Sequence, residues 1–375
     1  MAITRDDVIT ALASVTVDAA GTTLPGSGRL SQVVVDPTGR VMFSILIDPS
    51  EAERFEPVRR QAEGRALSMP GVTSVFASLT SERGPGAPPP QAPRQSGGPG
   101  APPSPRSGPA LPGVRHIVAV ASGKGGVGKS TTACNLALAL HAQGLKVGVL
   151  DADIYGPSMP KLLGLSGKPR VIEDRLLEPL EGFGLKVMSI GFLIDADTAM
   201  IWRGPMVQSA ITQMLREVSW GELDVLIVDM PPGTGDAQLT MAQATPLSGS
   251  VIVSTPQDLA LIDARRGVAM FRKVQVPILG VIENMATFVC PNCGHTSHIF
   301  GHGGARLEAQ RLGVPFLGEV PLNMVIRETS DAGRPVVATD PDGPQARVYR
   351  EIAAKLWANL SGAPAGRTAP KIVIE

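Results

Sequence analysis

The stretch "HIVAVASGKGGVGKST" occupies residues 116–131 and joins two different kinds of pattern. Its first part, "HIVAVAS", is an unbroken apolar run, which is typical of a strand buried on both faces of a sheet. The glycine-rich "GKGGVGKST" follows at once. The continuation "KSTTACNLALALHAQG" has the apolar periodicity of a helix, and Gly144 is its expected stop. This order of strand, glycine-rich loop and helix predicts the ligand-binding end of an α/β fold.

Four further apolar runs continue the alternation of strands with helical stretches. They are "KVGVLDAD" at 146–153, "LDVLIVDM" at 223–230, "SVIVST" at 250–255 and "ILGVIENM" at 278–285. Strands that alternate with helices form parallel sheets, and their ligands gather at the carboxyl ends of the strands. We therefore expect an α/β architecture with a doubly wound, mostly parallel sheet.

The loop itself fits the pattern GxxxxGK[ST] from Gly123 to Ser130, so the sheet is expected to be of the P-loop NTPase type. Small residues let successive backbone N–H groups curl around phosphate oxygens, and the helix N-terminus adds its positive end. Lys129 would reach the β and γ phosphates of ATP, and Ser130 would hold Mg²⁺. The expected nucleotide-binding residues of the loop are Gly123, Lys124, Gly125, Gly126, Val127, Gly128, Lys129, Ser130 and Thr131.

The same glycines also spell GxGxxG, the turn of a dinucleotide-binding fold, and Asp151 follows roughly where a ribose-binding acid would lie. A dinucleotide site needs neither Lys129 nor Ser130. In addition, Asp229 ends the strand "LIVDM", as does the acid near Mg²⁺ in phosphate-loop enzymes. These residues favour ATP and Mg²⁺ over NAD.

Asp151 and Asp153 end the second strand of the large unit, at the edge of the sheet where ligands bind. Two interpretations stay open for them. They could cap the next turn of the chain, or one could orient the attacking water while the other acts in the second shell of the metal.

Residues 81–113 consist mainly of Pro and Gly with almost no large apolar side chains, so we expect a linker. It separates a small unit at 1–80 from a large unit at 114–360, which a tail at 361–375 follows. The small unit has an α+β pattern and contains no Cys or His. Its first helix begins at a capping box, and its other elements are strand-like runs at 29–36, 40–48 and 72–79 and a helix at 52–69.

Composition excludes several classes of protein. The chain has 34 basic and 34 acidic residues, so its overall charge indicates neither a nucleic acid nor a membrane as partner. The start "MAITRDDVIT" lacks the apolar core of a signal peptide, and we expect a cytoplasmic protein. Three cysteines do not make a disulfide framework, so the thiols are expected to be free.

Lys124 lies inside the glycine-rich loop, where an ordinary phosphate loop needs no second lysine. The segment "KGGVGKS" resembles the deviant Walker A motif of the MinD/ParA-type ATPases. This resemblance implies that Lys124 crosses into the partner's active site in an ATP-bound homodimer. It also implies that Asp153 positions the attacking water with Asp151 beside it, and that Asn284 reads the edge of adenine. A buried Asn284 bonded only to backbone is the alternative.

Longer motifs narrow the resemblance. The segments "DADIYGPSMP", "WRGPM", "DMPPGTGD" and "ENMATFVCPNCGH" together are similar to the Mrp/ApbC-type iron-sulfur cluster carriers, over nearly the whole large unit. The small unit resembles the MIP18-type domain that is often fused ahead of them. The resemblance implies a slow ATPase whose homodimer holds a labile [4Fe-4S] cluster. The cluster would be received from cluster-assembly scaffold proteins and delivered to apo-proteins.

Cys290 and Cys293 stand two residues apart in "CPNCGHTSHIF". Two thiolates are half of a tetrahedral site, and a two-fold homodimer would bring four together. Four thiolates suit a [4Fe-4S] cluster or zinc. A metal-free turn and a redox pair are further alternatives, although a redox CxxC normally begins a helix.

The three histidines after the cysteine pair are expected to be solvated or structural, and the third cysteine is expected to be structural. His295, His298 and His302 follow Cys293 too closely to complete a zinc finger with it. Cys134 lies in the helix after the phosphate loop and is expected to be buried.

Two other functions compete with the cluster carrier. They are a positioning ATPase of the MinD/ParA kind, and a dimeric ATPase adaptor held together by zinc.

Overall fold

The computed structural model describes residues 3–18, 21–31, 33–35, 39–48, 51–80, 111–172, 176–193 and 204–362. The chain divides into two compact units, one built mainly from residues before the Pro/Gly-rich segment and the other mainly from residues after it. The linker predicted at 81–113 and the tail predicted at 361–375 fall almost entirely outside the described residues. These two boundaries stay predictions.

The small unit packs two helices against a three-stranded sheet, which confirms its α+β prediction. Its elements are α1 (Arg5–Leu12), β1 (Val34–Val35), β2 (Arg40–Leu46), α2 (Ala52–Leu67) and β3 (Ser74–Thr80). The predicted capping box begins α1: the Thr4 hydroxyl accepts a hydrogen bond from the Asp7 N–H, and the Asp7 carboxylate accepts one from the Thr4 N–H. Strand β2 pairs antiparallel with β1 and parallel with β3. Its core is apolar and includes Leu12, Phe43 and Phe55.

The described residues of the large unit form a nine-stranded sheet. Its strands are β4 (Val114–Ala121), β5 (Val147–Asp151), β6 (Leu180–Gly182), β7 (Leu185–Ser189), β8 (Leu223–Asp229), β9 (Gly249–Ser254), β10 (Ile278–Val289), β11 (Thr296–Ser297) and β12 (Phe316–Leu322). The helices that follow the Pro/Gly-rich segment are α3 (Lys129–His141), α4 (Met159–Leu162), α5 (Gly204–Arg216), α6 (Asp236–Ala244), α7 (Asp258–Lys273), α8 (Gly304–Leu312), α9 (Met324–Asp331), α10 (Val336–Thr339) and α11 (Pro344–Ser361).

The strand order is β11-β10-β9-β4-β8-β5-β7-β6, and β12 pairs with β10. All neighbours from β10 to β7, and the β10–β12 pair, are parallel, whereas β6 and β11 run antiparallel to their partners. The prediction of a doubly wound, mostly parallel sheet is confirmed. Because β4, β5, β8 and β10 are parallel, their carboxyl ends meet at one edge of the sheet.

Helix α3 lies in the interior of the large unit. Every residue from Thr132 to Leu140 is buried, and α3 packs against α11 and β5. The helix ends at His141, and Gly144 completes the turn after it with a φ of 88°. Cys134 is buried, as predicted, and burial raises the pKa of its thiol, so this cysteine is unreactive. No helix in the described ranges is both long enough and apolar enough to cross a membrane.

Candidate functional site

The phosphate loop joins the end of β4 to the first residue of α3. Close neighbouring atoms explain why two of its positions must be glycine. A Cβ on Gly128, whose φ is 77°, would lie 2.2 Å from the side-chain amide nitrogen of Asn284. A Cβ on Gly123 would lie 2.3 Å from the carbonyl carbon of Asp263 in α7. At Gly125 a Cβ would meet no atom of the described residues within 4 Å, so on this side the described part of the chain leaves the loop open to a ligand. Two neighbouring elements therefore hold the loop while its outer face stays accessible.

Lys129 and Asp229 form a buried ion pair at the base of the loop. The Lys129 ammonium donates to Oδ1 of Asp229 at 2.7 Å and to the Ser130 hydroxyl at 3.1 Å. Lys129 is 6% exposed and Asp229 is fully buried. Burial raises the pKa of Asp229, and the Lys129 charge opposes that rise.

The second carboxylate oxygen of Asp229 is suited to bind a metal ion. Asp229 Oδ2 is buried and has no hydrogen-bond partner among the residues that the structure describes. Such an oxygen lacks the interaction that buried carboxylates normally have. The Ser130 hydroxyl lies beside the Asp229 carboxylate and lowers its pKa. A carboxylate oxygen and a hydroxyl in this position fit Mg²⁺, which prefers oxygen ligands.

The Asp151 carboxylate is occupied by the turn after β5. Its Oδ2 accepts hydrogen bonds from the Ser158 N–H at 2.9 Å, the Met159 N–H at 3.0 Å and the Ser189 hydroxyl at 2.9 Å. Its Oδ1 accepts one from the Asp153 N–H at 3.2 Å. Asp151 therefore caps α4, which is the first of the two interpretations left open by the sequence, and a catalytic role for it stays a prediction.

The Asp153 carboxylate lies at the same edge of the sheet and accepts fewer hydrogen bonds than the Asp151 carboxylate does. It is 9% exposed, and burial raises its pKa, while the Lys129 charge lowers it. Burial and the neighbouring Asp229 raise the pKa of Asp151 to about 7. The site thus gathers three carboxyl groups around one buried lysine, and Asp153 is the most accessible of the three.

Asn284 contacts the phosphate loop directly. Its side-chain amide is 7% exposed and donates to the Val127 carbonyl at 2.8 Å, so in this structure Asn284 braces the loop. Recognition of adenine by Asn284 stays a prediction. The Lys124 backbone carbonyl accepts a hydrogen bond from the Ser122 hydroxyl at 2.9 Å. Its ammonium forms no hydrogen bond or ion pair with any described residue, and the contact across a dimer stays a prediction too.

The two cysteines lie at the tip of a short hairpin, residues 288–297, here called the cysteine hairpin. Phe288 and Val289 at the end of β10 pair with the two residues of β11. The Cys290 N–H donates to the His295 carbonyl at 2.9 Å, and the Gly294 N–H donates to the Cys290 carbonyl at 2.9 Å. The hairpin leaves Cys293 exposed and Cys290 partly buried.

The backbone of the turn stabilises a thiolate at Cys290. The N–H groups of Cys293 and Asn292 point at its sulfur and lower the pKa of Cys290. The thiolate is the form of cysteine that binds metals. The turn thus brings two thiols together and favours the thiolate form of one of them.

The nearby histidines bond elsewhere. His298 Nδ1 lies 3.4 Å from the Ala286 carbonyl, and His302 Nε2 lies 3.3 Å from a carboxylate oxygen of Glu319. Within the described part of the chain, no group of three or more Cys, His, Asp or Glu could hold a metal ion.

Sequence reasoning missed Glu283, which is fully buried in β10. Its carboxylate accepts hydrogen bonds from the Gly303 N–H at 2.9 Å and the Ala305 N–H at 2.6 Å, and so caps α8. A charged residue inside the apolar run "VIENM" was the available signal. Met285, two residues further on, has a φ of 57°, the left-handed region that residues other than glycine rarely adopt.

The fold is that of the phosphate-loop NTPases. Cell-division ATPase MinD of Pyrococcus furiosus matches with a TM-score of 0.50 at 23% identity, over 64% of this chain and 98% of that one. A nucleotide-binding protein of Archaeoglobus fulgidus, solved in complex with ADP, matches with a TM-score of 0.56 at 42% identity, over 63% of this chain and 92% of that one.

Residues 113–357 match the family model described as NUBPL iron-transfer P-loop NTPase, and residues 5–77 match one described as iron-sulfur cluster assembly protein. The iron-sulfur cluster carrier protein of Pseudomonas fragi is 56% identical over 65% of this chain and 86% of its own length. The iron-sulfur cluster transfer protein NUBPL of Dictyostelium discoideum is 53% identical over 67% of this chain and 78% of its own. The chain belongs to the family of NUBPL iron-transfer P-loop NTPases, and the resemblance to iron-sulfur cluster carriers is confirmed.

Proposed function

We propose that this protein is an ATP-dependent carrier of a [4Fe-4S] cluster. Cys290 and Cys293 from each of two protomers would bind the cluster at the two-fold axis of a homodimer. The carrier would receive the cluster from a scaffold protein and deliver it to apo-proteins. The observation that supports this most strongly is the cysteine hairpin, which presents two free thiols in one turn of a chain that also has a phosphate loop.

ATP would bind on the outer face of the loop. Lys129 would exchange Asp229 for phosphate oxygens, and Ser130 with Asp229 would hold Mg²⁺, which neutralises charge on the β and γ phosphates. Asp153 would orient the attacking water because its carboxylate is the most accessible of the three. Asp151 would fix the backbone of Asp153 by accepting its N–H. Lys124 of the partner protomer would add a positive charge, and so favour the dimer when ATP is bound.

The exposure of the hairpin suits transfer. Cys293 is exposed at the tip, so a recipient's thiols could reach the cluster without unfolding the carrier. Exchange between thiolates needs such access. A reducing compartment keeps these thiols free, and we propose the cytoplasm.

Metal content tests the proposal. We would purify the protein anaerobically and measure iron, sulfide, zinc and the visible spectrum, for the natural chain and for a Cys290→Ala, Cys293→Ala variant. About four iron and four sulfide per dimer are expected, as for one [4Fe-4S] cluster. The variant should lose both. Cys134→Ala is the matched control, because it removes the buried third thiol and should keep the cluster.

Two results would contradict the proposal. Zinc in place of iron after anaerobic reconstitution would make the hairpin a structural clip in an ATPase adaptor. Retention of iron by the double variant would place the cluster elsewhere.

Transfer is then measured by the activity that an apo-enzyme regains on mixing with the loaded carrier, with and without ATP. Absence of any transfer, together with ATP-dependent retention on DNA or vesicles, would favour a positioning ATPase.

A further inference from the structure

We propose that Asn284 is a positioning residue that transmits the state of the phosphate loop to the cysteine hairpin. This inference rests on the proposed function in one respect, since it explains how a nucleotide could influence the cluster. The contacts that support it all lie within one protomer and do not depend on a bound cluster.

The first step is the contact at the loop. Asn284 donates to the Val127 carbonyl at 2.8 Å, and its amide nitrogen fills the space that a side chain on Gly128 would need. Val127 and Gly128 lie between the two lysines of the phosphate loop. A loop that closes around phosphate must therefore either keep this hydrogen bond and move Asn284, or break it.

The second step is the strand. Asn284 belongs to β10, which continues to Val289, and Cys290 is the next residue. At about 3.3 Å per residue, the strand spans roughly 20 Å between the loop contact and the cysteine. No connecting loop absorbs a displacement along this segment, because β10 forms one strand over its whole length.

The third step is an irregularity between the two ends. Met285 has a φ of 57°, and the pairing of β10 with β12 shifts register between Asn284 and Phe288. Bulges of this kind bend a strand and so change the direction of the residues beyond the bend. Disfavoured backbone conformations persist only where the surroundings hold them, and they concentrate at functional and switching segments.

The fourth step concerns the chain that leaves the hairpin. Glu283, the neighbour of Asn284, accepts hydrogen bonds from Gly303 and Ala305. The segment entering the hairpin is thus attached to the phosphate loop, and the segment leaving it is attached to the adjacent residue of the same strand. A shift at residues 283–285 would move both ends of the hairpin connection together.

Hydrogen exchange of the cluster-free protein, with and without Mg-ADP, tests this coupling without any cluster. The reporters are the Cys290 and Gly294 amides, whose hydrogen bonds close the hairpin. In the natural chain, saturating Mg-ADP should change their exchange rates by about fivefold or more, the lower end for coupled sites. In Asn284→Ala, at a Mg-ADP concentration that saturates the variant, Mg-ADP should no longer change exchange in the hairpin.

Asn359→Ala is the matched control. Asn359 donates its side-chain amide to the Leu279 carbonyl at 2.8 Å, so it makes the same kind of bond to the far end of β10. This variant should lose a hydrogen bond and keep the full response. An unchanged response in Asn284→Ala at saturating Mg-ADP would overturn the inference.

A second variant keeps the inference falsifiable if Asn284→Ala no longer binds nucleotide. Met285→Gly leaves Asn284 in place and loosens the backbone between the loop contact and the hairpin. It should bind ADP normally and respond more weakly in the hairpin, and a full response would contradict transmission along β10. A failed cluster assay with intact coupling would reject only the proposed function, whereas a bound cluster with no coupling would reject only this inference.

Discussion

At the scale of single residues, Lys129 forms an ion pair that must break before the nucleotide site can bind phosphate. Its ammonium pairs with the fully buried Asp229, so phosphate competes with an existing ion pair. Buried pairs are strongly destabilised when one partner is removed, because the other charge is left without compensation. Lys129 is therefore both a ligand for phosphate and a counter-ion for the fold.

We expect Lys129→Met to lower the free energy of unfolding by about 3 kcal/mol and to abolish ATP binding. The physical reason is the unpaired carboxylate of Asp229, which is fully buried. Urea unfolding followed by tryptophan fluorescence measures the change. Lys129→Met combined with Asp229→Asn should lose less stability than the two single variants together. Strict additivity would show that the pair does not stabilise the fold.

Asp151 should make stability depend on pH. Its pKa is about 7 in the folded chain, against 3.8 for the free side chain, because of burial and the nearby Asp229. The folded state therefore binds this proton more tightly than the unfolded chain does. The stability that the proton contributes is complete below about pH 4 and is lost as the pH rises towards 7.

We expect Asp151→Asn to flatten the fall in unfolding free energy between about pH 4 and pH 7, since the side chain no longer titrates. Asp153 and Asp229, whose pKa values are also raised, should leave a smaller slope. Urea midpoints at several pH values measure it. An unchanged slope in the variant would mean that Asp151 is ionised throughout this range.

At the scale of elements, a residue just after the end of α7 has a strained backbone conformation that a substitution can relieve. Gln275 is exposed and has a φ of 61°, just after the helix ends. Gln275→Gly should stabilise the chain by about 0.5 kcal/mol, because relief of roughly 1 kcal/mol of left-handed strain exceeds the added entropy of the unfolded chain. Gln143→Gly, at an exposed turn after α3, is the control and should destabilise it slightly. A fall in Tm for Gln275→Gly would contradict this account.

The sequence predicts elements with a strong local pattern and misses those without one. The segment from β4 through the loop to α3 is continuous, and its glycines, lysines and periodicity fix it locally. Strand β12, "FLGEVPL", was missed because Glu319 and Pro321 interrupt its apolar alternation. Strand β11 was missed because two residues carry no periodicity.

The contacts that organise the site could not be predicted for a different reason. Lys129 and Asp229 are 100 residues apart, and Asn284 and Val127 are 157 apart. Which residues meet depends on strand order, and the sequence does not state that order. For the same reason the sequence left the role of Asp151 open, since one of its partners, Ser189, belongs to the neighbouring strand β7.

At the scale of the whole molecule, Lys124 tests whether the active unit is a dimer. Lys124→Ala should leave the ADP affinity of a single protomer nearly unchanged, because under the proposed function its ammonium acts on the nucleotide of the partner protomer. It should abolish an ATP-dependent dimer, which light scattering measures. Lys168→Ala, which removes an exposed lysine away from the loop, should dimerise normally. A dimer that persists in Lys124→Ala would place the interface contacts elsewhere.

The bonding within the cysteine hairpin is local. Its pairs join residues 288–289 to 296–297, and the bonds that close the turn join Cys290 to His295 and Gly294. Because the bonds that close the turn are backbone bonds, the side chains of Pro291 and Asn292 at its tip can vary without removing them. Under the proposed function, changes at the tip could retune which recipient proteins dock there while the phosphate loop stays constant, and a protein engineer could exchange the tip between relatives as a separate cassette.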